Sequence, residues 1–113
     1  MIKLKRVYEE PAGSDGTRIL VERLWPRGLT KDEAKIDEWA KEVSPSPELR
    51  KWYAHDVGKW PEFKRRYVAE LKKNNDSVDD LRNIIKGKAV TFVYAAKDEQ
   101  HNSAVVLKEF LEK

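Results

Sequence analysis

The chain has 113 residues and a mass of 13.2 kDa, which gives room for one domain, expected to occupy residues 1–113. Hydrophobic residues supply 40% and charged residues 38%. The 23 Lys and Arg exceed the 20 Asp and Glu by only three and are interspersed with them, unlike the gathered bases of a dedicated polyanion binder. The lack of cysteine excludes disulfides, thiolate zinc sites and thiol nucleophiles. No apolar run approaches the roughly 18 residues of a membrane span and no signal-peptide core is present, so the expected setting is cytoplasmic, without a membrane partner.

Residues 2–8 alternate apolar and polar side chains, the period of a half-buried strand. Pro11-Ala12-Gly13-Ser14-Asp15-Gly16 reads as a loop, and residues 18–24 as a more buried strand ending at Trp25-Pro26-Arg27-Gly28. Thr30 and Glu33 have capping-box spacing, which predicts a helix carrying Ile36, Trp39, Ala40 and Val43 on one face. Ser46 and Pro47 open a second, short helix with Leu49, Arg50, Trp52 and Tyr53. Beyond Gly58 a longer helix opens at Pro61, with Phe63, Tyr67 and Leu71 inward. Residues 74–77 form a loop ending in a cap, and Val78, Leu81, Ile84 and Ile85 share the next helical face before Gly87 stops it.

Residues 88–94 form a third strand, expected to be central. The last helix begins near Asn102 or Ser103 and packs Val105, Val106, Phe110 and Leu111. Strands alternating with helices predict an α/β domain, a small, mainly parallel sheet of three to four strands flanked by several helices. Residues 30–86 are read as the crossover between strands two and three. The connection after strand one is too short for an ordinary helical crossover, which leaves that strand's direction open.

In open α/β sheets ligands bind beyond the carboxyl ends of the strands. Two such ends carry chemistry here. Arg23 and Arg27 flank Trp25 after strand two, and residues 94–102 lead from strand three into a helix N-terminus, where backbone N–H groups and the dipole favour an anion. Arg23, Arg27, Lys97 and Asn102 are the candidate anion-binding residues. Bracing of loops by the two arginines, and a surface position for Lys97, are equally compatible with the sequence. His55, His101 and Lys97 are the candidate catalytic groups. His55 precedes Asp56, a carboxylate able to orient an imidazole or simply to cap a turn. His101 is also compatible with a helix cap. Trp25, alone of four tryptophans, sits in a turn among arginines, where it could stack on a base or a guanidinium; the others suit core packing. No phosphate-binding glycine loop, nucleophile elbow or zinc-protease motif is present, so no cofactor is identified, and two histidines without cysteine argue against a transition metal.

Several segments resemble the YeaO-like branch of the domain of unknown function 488 family. They are Arg18-Ile-Leu-Val-Glu-Arg-Leu-Trp-Pro-Arg-Gly28, Ile36-Asp-Glu-Trp39, Ser44-Pro-Ser-Pro-Glu-Leu-Arg-Lys-Trp52, His55-Asp56, Trp60-Pro-Glu-Phe63 with Arg66-Tyr67, and Tyr94-Ala-Ala-Lys-Asp98 with His101-Asn102. The resemblance spans nearly the whole chain and implies a compact three-layer α/β fold with a mainly parallel sheet, which favours a parallel first strand. Other branches of that family carry cysteines and a His-Arg pair near the last strand and helix. This chain has Tyr94-Ala95 and His101-Asn102 there, so thiol chemistry cannot operate. The expected function is binding of a phosphorylated or nucleotide-like anion at the strand ends, with hydrolase- or transferase-like chemistry left open. The alternative is a nucleic-acid-binding module using Lys3, Lys5, Arg65, Lys72 and Trp25.

Overall fold

A computed structural model describes residues 2–113. Four strands, β1 (Ile2–Arg6), β2 (Thr17–Leu20), β3 (Glu38–Trp39) and β4 (Val90–Tyr94), form one all-parallel sheet in the order β1-β4-β2-β3. Ile2 pairs with Val90 and Arg6 with Tyr94 on one side of β4, while Thr17 pairs with Val90 and Leu20 with Val93 on the other. β4 is thus central, and all five of its residues are buried, as the apolar run Val-Thr-Phe-Val-Tyr requires.

The first strand is parallel although no α-helix follows it. Residues 7–16 need only return along a strand of about 17 Å and step across β4, and an extended chain of that length reaches roughly 33 Å. The connection contains a single 3-10 turn, Gly13–Asp15.

Among the described residues five α-helices surround the sheet: α1 (Lys31–Ala34), α2 (Pro47–Tyr53), α3 (Trp60–Lys73), α4 (Asn75–Ile85) and α5 (Ser103–Glu112). One sheet face, with Ile19, Val21, Val90, Phe92 and Tyr94, forms the main core with Leu49 and Tyr53 of α2, Phe63, Tyr67 and Leu71 of α3, Val78 and Leu81 of α4, and Val106, Leu107 and Leu111 of α5. The alternate residues Leu20 and Val93 face the other way and pack with Val7 and Ala34 under Trp25, Leu29, Ile36 and Ala95. The sheet therefore lies between a thick helical layer and a thin one built from α1 and loops.

Three predicted elements differ. β2 ends at Leu20 instead of running to Leu24, whose side chain is exposed. The helix expected to run from Thr30 through Val43 is one turn long. Thr30 and Glu33 do form a reciprocal capping box, but Lys35 adopts a left-handed conformation (φ 49°) and ends the helix. The chain is then drawn onto the open edge of β2. Asp37 N–H donates to Arg18 O at 2.9 Å and Ala40 N–H to Leu20 O at 2.8 Å, making β3 a strand within the supposed crossover. The loop expected at residues 74–77 is also largely absent, because α4 starts at Asn75, directly after α3. Val78 N–H donates to Asn74 O, and the Asn74 side chain donates to the Glu42 carbonyl. Among the described residues no helix is long and apolar enough to cross a membrane.

Candidate functional site

Beyond the carboxyl ends of β2 and β4 the chain encloses a cavity of about 100 Å³. Glu22 enters it from the continuation of β2, Ala96, His101 and Asn102 from the loop after β4, and Ser103 from the first residue of α5. Pro45, Arg50, Tyr53 and His55 close the opposite side, with Phe63 of α3 behind them.

The α2 side is shaped by two consecutive left-handed residues, Ala54 (φ 48°) and His55 (φ 57°), an unfavourable backbone for non-glycine residues. This reversal brings the His55 ring within 6.3 Å of the Tyr53 ring. Tyr53 stacks on Phe63 at 4.3 Å, and its hydroxyl donates to the His101 carbonyl at 3.2 Å, joining α2 to the β4–α5 loop. Burial pushes the Tyr53 hydroxyl pKa up, and the carboxylates of Asp98 and Asp56 push the same way.

On the α5 side Asp98 organises the loop. Its Oδ1 accepts from the Gln100 and His101 amides at 2.9 and 3.0 Å, and its Oδ2 lies 2.9 Å from His101 Nδ1. The Gln100 amide bond leads the effects holding the Asp98 carboxyl below its ordinary value, joined by the bonds from His101 and opposed by partial burial. With Nδ1 turned to a carboxylate, Nε2 is the imidazole nitrogen left for other chemistry. The ring meets Trp60 edge-on at 5.2 Å.

Glu22 is the acid of the cavity. Burial raises its pKa, against the opposing effects of a 3.4 Å bond from Ala95 N–H and the charges of Arg50 and His55. Arg50 is exposed, and among the described residues its guanidinium makes no hydrogen bond. A carboxyl, a guanidinium and two imidazoles around one cavity can recognise an anion and move a proton.

The chain matches, over residues 1–113, the family described as the inactive DUF488-N3 subclade. It belongs to the DUF488 family. The uncharacterized protein YeaO of Escherichia coli K12 is 44% identical over 110 residues, covering 97% of this chain and 96% of that protein. The uncharacterized protein Rv3073c of Mycobacterium tuberculosis H37Rv is 38% identical over 110 residues, covering 97% of this chain and 92% of that one. No solved structure matches the chain.

In this DUF488 chain the sequence-selected residues separate into two groups. His55, His101 and Asn102 line the cavity. Asn102 is buried with both ends of its amide committed: Oδ1 accepts from Val105 N–H at 3.1 Å as the α5 N-cap, and Nδ2 donates to the Asp98 carbonyl at 2.9 Å. His55 does not pair with Asp56, whose carboxylate accepts from Gly58 N–H and caps a 3-10 turn.

Arg23, Arg27, Lys97 and Trp25 lie outside the cavity lining. Arg23 braces the chain ahead of α2, donating to the Ser44 and Pro45 carbonyls at 2.8 and 3.4 Å. Arg27 and Lys97 are exposed. Trp25 donates to the Leu29 carbonyl at 2.7 Å and meets Trp39 edge-to-face at 5.5 Å, so its indole closes the turn and the thin core layer. The basic run on α3 is paired within the protein: Arg65 and Arg66 bond Glu62, and Lys64 bonds Glu109 at 3.3 Å. Trp52 lies beneath the cations of Lys59 and Arg66, at 5.0 and 4.2 Å. Among the described residues no cluster of His, Asp and Glu is arranged to hold a metal ion.

Sequence reasoning overlooked Glu22 and Arg50. Glu22 was hidden between two stronger signals, the buried strand and the arginine-rich turn. Arg50 occupies an exposed position on a short helix, and only the packing of α2 against α3 and the β4–α5 loop brings it to the strand ends.

Proposed function

We propose that the cavity binds the anionic group of a small phosphorylated or nucleotide-like molecule, and that the protein holds this ligand without turning it over. The observation that carries the reading is Arg50, a guanidinium with no hydrogen-bond partner among the described residues, lining the same cavity as His55 and His101. Arginine's planar fork matches phosphate and carboxylate oxygens, and imidazole N–H groups add donors. The first residues of α5 contribute the positive end of a ten-residue helix.

Size narrows the reading. A cavity of about 100 Å³ is smaller than the several hundred Å³ typical of a whole-metabolite pocket, so only part of the ligand fits inside and the remainder lies across the rim. The description of the family as inactive supports binding over turnover.

A thermal-shift panel at low salt tests this, using inorganic phosphate, sulfate, sugar phosphates, nucleoside monophosphates and short oligonucleotides. A ligand at ~100 times its Kd adds roughly 2.7 kcal/mol and raises the Tm by several degrees. The sugar phosphates and nucleoside monophosphates are expected to do so with the wild type and with Arg27→Ala, and to lose the effect with Arg50→Ala. A flat panel, or full retention of the shift by Arg50→Ala, would overturn the reading. A response confined to oligonucleotides would replace it with nucleic-acid binding.

A further inference from the structure

The cavity contains a group that a plain anion site should avoid. Glu22 sits on the main chain leaving β2, and its backbone carbonyl is held by Trp39 Nε1 at 2.6 Å, so the residue is fixed at the cavity. Its Oε1 accepts one long bond, 3.4 Å from Ala95 N–H, and among the described residues Oε2 accepts none. No cation lies within ion-pairing distance among the described residues, although Arg50 and His55 are close enough to exert their charges on it. An ionised carboxylate accepts hydrogen bonds and donates none, so Glu22 presents open lone pairs to whatever enters. Toward inorganic phosphate it is repulsive. Toward hydroxyl groups it is a strong acceptor, and two adjacent hydroxyls can donate to one carboxylate together, as ribose hydroxyls do to acidic residues in nucleotide-binding folds.

We propose that the ligand is a sugar phosphate with adjacent free hydroxyls, its phosphate held by Arg50 and the histidines and its hydroxyls read by Glu22. This rests on the anion-binding reading above and names its substrate class. Glu22 thereby becomes the specificity residue of the site, rejecting simple anions that the cationic groups would otherwise attract.

The test is calorimetric titration of the full chain with ribose 5-phosphate, 2-deoxyribose 5-phosphate and inorganic phosphate. A hydrogen bond to a charged group is worth about tenfold or more in affinity. The wild type is therefore expected to bind ribose 5-phosphate at least ~10-fold more tightly than its deoxy analogue, with inorganic phosphate weaker still. Glu22→Gln keeps the side-chain shape and removes the charge, so it should weaken ribose 5-phosphate and strengthen inorganic phosphate. These opposite signs distinguish selection by the carboxylate from general damage. Equal binding of all three by the wild type, or a gap between ribose 5-phosphate and inorganic phosphate as wide in Glu22→Gln as in the wild type, would overturn the sugar selection and leave the anion site standing. Binding of none of the three would overturn the sugar-phosphate proposal, and failure of the nucleoside monophosphates as well would overturn both. The wild-type comparison needs no variant, so a poorly folded Glu22→Gln would not protect the proposal.

Discussion

Arg18 Nη1 donates to Asp15 Oδ2 across 2.6 Å, and both side chains are buried beneath the sheet. The pair is the centre of a wider network. Asp15 also accepts from Ala12 N–H at 3.0 Å and from Lys5 of β1 at 3.2 Å, while Arg18 directs Nε and Nη2 to the Ala34 carbonyl of α1 at 3.2 and 2.9 Å. Thr91 of β4 donates its hydroxyl to the Asp15 carbonyl at 2.7 Å. Three strands and the thin layer are thus tied at the turn that enters β2. Removing one member strands the other's charge, which costs about 3–5 kcal/mol, a large share of a small domain's stability. Asp15→Ala is expected to lose that much in urea unfolding, whereas Asp15→Ala with Arg18→Met should lose clearly less. A double variant less stable than Asp15→Ala would show that the arginine contributes mainly by packing.

The same carboxylate makes the fold sensitive to acid. Burial alone would raise the Asp15 pKa, but the Ala12 amide and the bonds from Arg18 and Lys5 outweigh it and hold the value below the ordinary 3.8. A pKa lower in the folded than in the unfolded chain adds stability that is present above the unfolded value and lost as pH falls through the folded one. The wild-type urea midpoint should therefore drop below about pH 4, and Asp15→Asn, already destabilised, should show a shallower drop there. Glu62 is also depressed, to about 2, chiefly by its bonds from Arg65 and then Arg66. That cluster is exposed on α3, so Glu62→Gln should leave the acid profile nearly unchanged.

The parts of the fold that could be read from sequence are those with a strong period. Phe63, Tyr67 and Leu71 announce the buried face of α3, and the apolar run of β4 announces a central strand. β3 carries no such signal, because its two residues, Glu38 and Trp39, are exposed and the strand exists only through its bonds to β2. Ile36, Trp39, Ala40 and Val43 imitate a helical stripe although the backbone turns left-handed at Lys35. At the site, strand-end logic led to the loop containing His101 and Asn102, which is close in sequence to β4. Arg50 and Glu22 meet through contacts between distant segments, and no local spacing encodes that meeting. Arg23 looked as free as Arg27 because composition does not reveal that it is occupied by the Ser44 and Pro45 carbonyls.

Two left-handed glycines should respond very differently to a methyl group. Gly16 has φ 66°, and a Cβ there would lie 2.3 Å from the Ala89 carbonyl oxygen, the same atom that accepts the first bond of β2 from Thr17 N–H. Gly28 has φ 78° with open space around its Cβ position. Gly28→Ala meets only the backbone penalty, about 1–2 kcal/mol. Gly16→Ala adds a collision with main chain that cannot rotate away, and is expected to exceed ~3 kcal/mol or to prevent folding. Melting curves of the two variants check the order, which equal losses would refute.

Asn102 provides the last contrast, because each end of its amide does separate work. The N-cap bond to Val105 N–H satisfies a donor left free by the helix start, and such a cap is worth about 1 kcal/mol. The Nδ2 bond to Asp98 O fixes the loop that presents His101, and its loss leaves a carbonyl without that donor, at a further cost of about 1 kcal/mol. Asn102→Ala is therefore expected to lower stability by about 2 kcal/mol in total. Asn102→Ser retains a capping oxygen but cannot reach the Asp98 carbonyl, so it should recover about half of that loss. Denaturant melts give the two stabilities, and the histidine NMR signals report the loop, since His101 should shift in both variants while His55 stays in place. Full recovery by serine would mean that the cap alone matters and that the Asp98 bond contributes nothing to holding the cavity in shape.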